Sequence, residues 1–275
     1  MTSSPAPVAL TLPRLQWGPA RGVDGEHASA AAPRHALLVH GLGSSAQSMW
    51  RLGEGLAELG WSATAVDLRG HGGAPRASRY RIADLAADLA ATAPEAGGAW
   101  DLVVAHSIGA AAAVVAGAGA GASASGAVWA RRLVLLDPTL VADKAVRDRV
   151  LAGQLASHAG ATVEQTAADN PRWHPLDVEL RVGAVRAASR FALEHAVLDN
   201  PDWDVTDAAA ALTVPTLVIA GDAAFGAMFV GAHADAVLRS NSRLTAVTVE
   251  GAGHNVHRDD PEAVLEHLYA VLSEG

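Results

Sequence analysis

Trp100-Asp101-Leu102-Val103-Val104-Ala105-His106-Ser107-Ile108-Gly109-Ala110-Ala111-Ala112-Ala113-Val114-Val115 is the stretch on which the reading of the fold turns. Its first part, Trp100–Ala105, is a short, nearly continuous apolar run, the pattern of a strand covered on both faces. Its second part, Ile108–Ala118, is small and apolar at every position and reads as a buried helix. A strand that feeds straight into a helix leaves Ser107 on the turn, its hydroxyl pushed out at the carboxyl edge of the sheet, where the helix N-terminus favours nearby negative charge. That position suits a nucleophile. The competing reading is a serine that caps an ordinary helix.

The same alternation recurs on either side. His35–Val39, Trp61–Val66, Arg132–Leu136, Thr216–Ala220 and Leu244–Val249 are strand-like, and Val8–Gln16 could add an edge strand. Trp50–Leu59, Ile82–Ala93, Val230–Leu238 and Pro261–Leu272 have helical spacing between them, the last starting with Asp260 at the cap and Pro261 in the first turn. Strands alternating with helices predict an α/β fold, a mostly parallel sheet with helices on both faces. The alternation lapses once, between Pro138 and Asp207, where Val146–Val150–Leu151–Leu155 and Leu176–Leu180–Ala184–Ala187–Phe191 repeat at helical spacing. The expected organisation is therefore a core from 1–137 and 208–275 with a helical lid inserted at 138–207. Ala118–Gly126 is a Gly/Ala/Ser run and reads as a flexible connection.

Composition narrows the function. The chain has 275 residues, half of them apolar, which is enough for a sizeable core. It has no cysteine, so disulfide frameworks, thiolate metal sites and cysteine nucleophiles drop out together. Twenty basic against 29 acidic residues leave a net charge of −9, which recruits neither nucleic acid nor anionic lipid. No histidine spacing points to a metal, and no cofactor motif is present. The first 22 residues lack a basic segment before an apolar one, so a cytoplasmic location is expected. Between His106 and Arg131 the chain carries no charge over a length that could span a bilayer, but the Ala, Gly and Ser content there argues for a buried helix followed by a loose loop instead.

Three further tracts follow strands: His40-Gly41-Leu42-Gly43, Asp67-Leu68-Arg69-Gly70-His71-Gly72 and Gly251-Ala252-Gly253-His254-Asn255-Val256-His257. With Ala105-His106-Ser107-Ile108-Gly109 they resemble the α/β-hydrolase family. That family's elbow reads G-x-S-x-G, and Ala105 stands here for the first glycine. The resemblance makes Ser107 the nucleophile, His254 the general base, and the Leu42 and Ile108 amides the oxyanion donors. Asp67, Arg69 and His71 are expected to be structural, and His257, nearer the following helix, to lie at the surface. For the acid, relatives usually use the loop after the strand corresponding to Thr216–Ala220, which selects Asp222. Others carry it after the strand corresponding to Arg132–Leu136, which makes Asp137 the alternative.

The implied chemistry is acyl transfer on a small-molecule substrate through a Ser107–His254–Asp222 triad, an ester being the expected substrate ahead of an amide, lactone or carbon–carbon bond. A cofactor-free oxygenase using His254 as base, and a ligand-binding module without catalysis, are the other readings. Trp173, Phe191 and Trp203 are the expected lid contributions to the pocket. The sequence leaves the oligomeric state open.

Overall fold

The computed structural model of the protein describes residues 6–19, 34–121 and 128–273. In chain order it contains β1 (Arg14–Trp17), β2 (His35–Val39), α1 (Trp50–Glu58), β3 (Ser62–Val66), α2 (Ile82–Ala90), β4 (Leu102–His106), α3 (Ser107–Gly121) and β5 (Leu133–Leu136). Five helices follow without an intervening strand: α4 (Lys144–Gly160), α5 (Val163–Asp169), α6 (Pro175–Ala187), α7 (Arg190–Leu198) and α8 (Thr206–Ala210). The chain then returns to β6 (Thr216–Gly221), α9 (Gly231–Ser240), β7 (Leu244–Val249), α10 (Val256–Asp259) and α11 (Pro261–Ser273).

The strands form one sheet in the order β1-β3-β2-β4-β5-β6-β7, parallel except for β1, which pairs antiparallel with β3. The α/β class with a mostly parallel sheet is therefore observed. Successive side chains of each strand point to opposite faces, so both faces build a core. Val103 and Ala105 of β4, with Leu133 and Leu135 of β5, pack into the cluster that takes in α2 and α3. Leu102 and Val104, with Val134 and Leu136, pack into the cluster holding Leu52 and Leu56 of α1 and Val264 and Leu268 of α11. β4 sits at the middle of the sheet order, so its carboxyl end lies at the centre of that sheet edge.

The edge strand is shorter than Val8–Gln16. Pro13 has no amide hydrogen to give to a ladder, and regular pairing begins just after it, at Arg14 opposite Val66. α3 starts at Ser107 itself and runs on through Gly117 and Gly119 to Gly121. Of the expected flexible connection, Ala118–Gly126, residues 122–126 lie outside the described residues. Among the described residues, no helix is long and apolar enough to cross a membrane.

The helices between β5 and β6 have their own start signals. Asp143 accepts from the Val146 amide at 2.8 Å, Thr162 from Gln165, and Pro175 opens α6. None of the residues of α4 is fully buried.

The Asp67–Gly72 turn is clamped from below. Arg69 is buried and meets Asp88, itself buried, through Nε at 2.6 Å and Nη2 at 2.7 Å. Its remaining donors reach the carbonyls of Val8, Arg79 and Asp84. Removing one member of a buried pair strands the other's charge, at a cost of about 3–5 kcal/mol. Asp88→Ala is therefore expected to lower the urea-unfolding free energy by that amount, and a loss under about 1 kcal/mol would show that the clamp is dispensable.

Candidate active site

The turn from β4 into α3 forces Ser107 into the left-handed region, with φ 55°. Such a turn needs neighbours without side chains. A Cβ on Gly109 would lie 2.4 Å from the His40 carbonyl oxygen, and one on Gly41 would lie 2.6 Å from His106 Nδ1. The strand-end loops after β2 and β4 therefore touch through glycine, which brings Leu42 and Ile108 together beside the serine. Ser107 is 8% exposed.

His254 arrives on the loop after β7. Its Nε2 lies 2.9 Å from Ser107 Oγ, and its Nδ1 lies 2.6 Å from Asp137 Oδ2. With Nδ1–H donating to the carboxylate, Nε2 is left to accept the serine hydroxyl proton. Asp137 stands at the end of β5, next to β4 in the sheet, and is fully buried. It too has a positive φ, 37°. The Gly221, Met228 and Phe229 amides donate to its two oxygens at 3.2, 2.7 and 3.2 Å.

The carboxylate at His254 is thus Asp137 and not the expected Asp222. Asp222 turns the other way: it caps the short helical turn 223–225, accepting from the Ala224 amide at 2.8 Å, and takes the Gly251 amide at 3.1 Å. Those two amide hydrogen bonds hold its pKa below the usual carboxylate value. Further along the same loop, the Met228 and Phe229 amides go to Asp137. In the sequence, Ala223 and Ala224 standing past Gly221-Asp222 were the sign that this loop brings no acid of its own to the histidine.

Ser107, His254, Leu42 and Ile108 open onto a cavity of about 300 Å³. Ile108 lies in the first turn of α3, where amides have no intrahelical acceptor. Leu42 is held in its loop by two histidines. His40 donates from Nδ1 to the Gly41 carbonyl and accepts the Leu68 amide at Nε2. His71 bonds the Arg69 carbonyl through Nδ1 and accepts the Gly43 amide at Nε2, 3.1 Å away. Of the expected lid aromatics, Trp203 lines the cavity. Trp173 instead donates its indole N–H to Asp259, and Phe191 stacks on His195 at the surface.

A model of the alpha/beta hydrolase family matches residues 36–267, from Ala36 in β2 to His267 in α11. The chain belongs to the alpha/beta hydrolase family. Solved structures similar to this α/β-hydrolase include an E-2-(acetamidomethylene)succinate hydrolase, 23% identical over 96% of both chains with a TM-score of 0.75. An N-formylmaleamic acid deformylase from Pseudomonas putida is 21% identical over 93% of this chain and 94% of its own, with a TM-score of 0.72. A thermophilic esterase from Thermogutta terrifontis is 20% identical over 96% of this chain and 93% of its own, with a TM-score of 0.70. At these identities the likeness is one of fold. No curated protein sequence matches the chain.

His257 of this hydrolase is buried, contrary to its expected surface position. The helical turn α10 folds it inward, so that its ring lies 4.7 Å from that of His106, which in turn lies 4.8 Å from that of His254. Burial disfavours the charged form of His106 and His257 and sets their pKa values well below the ordinary histidine value. His71 is lowered too, and His40 is brought down to about 3, burial being the main cause in each.

These histidines stay neutral in the fold, whereas an unfolded histidine takes up a proton near pH 6.5. Between the two pKa values the unfolded chain binds more protons, so stability is complete above about pH 6.5 and falls below it. Urea unfolding from pH 8 to pH 5 is expected to lose up to about 1.4 kcal/mol per pH unit below 6.5 for each histidine that stays neutral. An unfolding free energy that does not change over that range would mean the four imidazoles are charged in the fold.

Proposed function

We propose that the protein is a serine hydrolase of carboxylic esters, with Ser107 as nucleophile, His254 as general base and Asp137, rather than Asp222, as the acid. The observation that carries this reading is the continuous chain from Asp137 Oδ2 through His254 to Ser107 Oγ, with links of 2.6 and 2.9 Å. Both distances are within hydrogen-bond reach, the requirement for a nucleophile and its base.

In this mechanism His254 Nε2 takes the proton from Ser107 as its oxygen attacks the substrate carbonyl. The Leu42 and Ile108 amides receive the oxyanion. His254 then returns the proton to the leaving alcohol, and an acyl group stays on Ser107. Water, deprotonated by the same imidazole, releases it. Asp137 orients His254 and stabilises its imidazolium without taking the proton. The amides on both Asp137 oxygens fix the carboxylate that fixes the ring. An esterase and an enol-lactonase share this fold with the deformylase and the E-2-(acetamidomethylene)succinate hydrolase, and the oxygen ester is the substrate we propose. Residues 138–207 act as the lid: Arg147, Val150 and Gln154 of α4, Arg181 of α6 and Trp203 close the cavity over Ser107.

The acid assignment separates two variants. Asp137→Asn keeps size but loses the charge, and its kcat on p-nitrophenyl acetate is expected to fall by a factor of order 10⁴, while Asp222→Asn stays within about tenfold of the parent. Ser107→Ala is expected to fold, to lose turnover, and to lose labelling by a fluorophosphonate. An Asp222→Asn loss equal to that of Asp137→Asn, or Ser107→Ala with most of its activity, would overturn the assignment.

A further inference from the structure

The cavity above Ser107 carries a charge opposite to that of the chain. Four arginines line it, Arg147, Arg149, Arg181 and Arg258, and among the described residues no aspartate or glutamate does, in a protein of net charge −9. Among the described residues, none of the four makes an ion pair with a carboxylate. Arg147 and Arg149 are partly or fully open to water, which can carry their charge. Arg181 is half-buried and Arg258 is 3% exposed.

The two inner arginines are held in place but not neutralised. Arg258 Nη2 donates to Ser44 Oγ at 3.0 Å, its guanidinium stacks 4.9 Å from the Trp173 ring, and its Nε has no hydrogen-bond partner. Arg181 Nη1 donates to the Gly43 carbonyl at 2.6 Å. Ser44 and Gly43 follow Leu42 directly, so both cations sit beside the Ser107 centre. Asp177 and Asp259 attract Arg258 from behind but make no direct ion pair with it. Asp259 accepts the Trp173 indole N–H and the Gly253 amide, and Asp177 accepts the Trp50 indole N–H and lies 3.6 Å from Arg51. Burial, with the like charge of Arg181, pulls the Arg258 pKa down to about 10.

Two neighbouring guanidiniums that pair directly with no carboxylate are costly in a partly dry cavity unless a ligand supplies a closer negative charge. We propose that Arg181 and Arg258 form a carboxylate subsite beside Ser107, and that the substrate is an anionic acyl compound bearing a free carboxylate in addition to the bond that is cleaved. The planar fork of arginine matches a carboxylate. Arg147 and Arg149 at the cavity wall extend the positive field that concentrates such an anion. The subsite rests on the assignment of Ser107 as the reacting centre.

The test compares methyl half-esters of succinic, glutaric and adipic acids with methyl esters of butanoic, pentanoic and hexanoic acids, by pH-stat at fixed ionic strength. At least one half-ester is expected to exceed its neutral counterpart in kcat/KM by about tenfold or more, the factor that corresponds to about 1.4 kcal/mol. Arg258→Gln is expected to collapse that ratio through a raised KM for the half-ester, and Arg258→Lys to recover part of it. Arg181→Gln, with its melting temperature measured alongside, serves if Arg258→Gln does not fold. Glutarate and inorganic phosphate are titrated calorimetrically into Ser107→Ala, with glutarate expected to bind and to lose affinity in the Arg258→Gln background. Neutral esters turned over as well as half-esters, with Ser107 labelled by fluorophosphonate, would overturn the subsite and leave the serine hydrolase standing. Glutarate bound through Arg258 with no turnover of any ester would overturn the hydrolase and leave the anion site. Binding of phosphate but not glutarate would overturn the carboxylate assignment.

Discussion

The left-handed backbone at Ser107 is the constraint from which the rest of the site follows. A residue with a side chain adopts that conformation only where its surroundings hold it there. Here the holding is done by the buried strand β4 on one side and the apolar helix α3 on the other, with Gly109 pressed against the His40 carbonyl. Any larger residue at 109 would push the loop of His40 and Leu42 away from the serine. The turn, the helix N-terminus and the approach of the Leu42 loop are therefore one packed unit.

That unit is steadied by imidazoles that never act as acids or bases. His40 and His71 each bond a carbonyl through Nδ1 and receive an amide at Nε2. Only neutral imidazole has one donor and one acceptor, which agrees with burial lowering both pKa values. The Asp67 turn lies on the same loop, its carboxylate accepting the Ala46 and Gly73 amides. The expectation that Asp67, Arg69 and His71 are structural thus has a concrete form.

Much of the fold was legible because a central parallel strand leaves little choice of residue. Runs such as His35–Val39 and Leu244–Val249 coincide with β2 and β7 residue for residue. The meeting of Ser107 and His254 was legible too, since both follow strands of one sheet. The acid was not. Asp137 and Asp222 both follow strands, and which one faces the histidine depends on the path of residues 222–229, whose last two amides, of Met228 and Phe229, go to Asp137. Nor does helical spacing say which face of a helix meets a cavity, so Trp173 and Phe191 were placed wrongly while Trp203 was placed well. His257 read as a surface residue because it stands nearer the following helix, yet the turn α10 buries it with its ring against that of His106.

The arginines of the cavity escaped sequence reading for a related reason. Charged residues at helical spacing are ordinarily a solvated face, and their residue type does not distinguish Arg181 from Arg186, five residues further along α6. The difference is tertiary: Arg181 reaches the Gly43 carbonyl in the loop beside Ser107, whereas Arg186 reaches Ala161 at the surface. Three of the four cavity arginines come from the helices between β5 and β6, while the serine, the histidine and the aspartate come from the ends of strands. The residues proposed to perform the reaction and most of those proposed to choose the substrate therefore belong to different segments of the chain. Arg258, four residues after His254 on α10, is where the two meet. It ties the charge of the cavity to the loop that carries the imidazole.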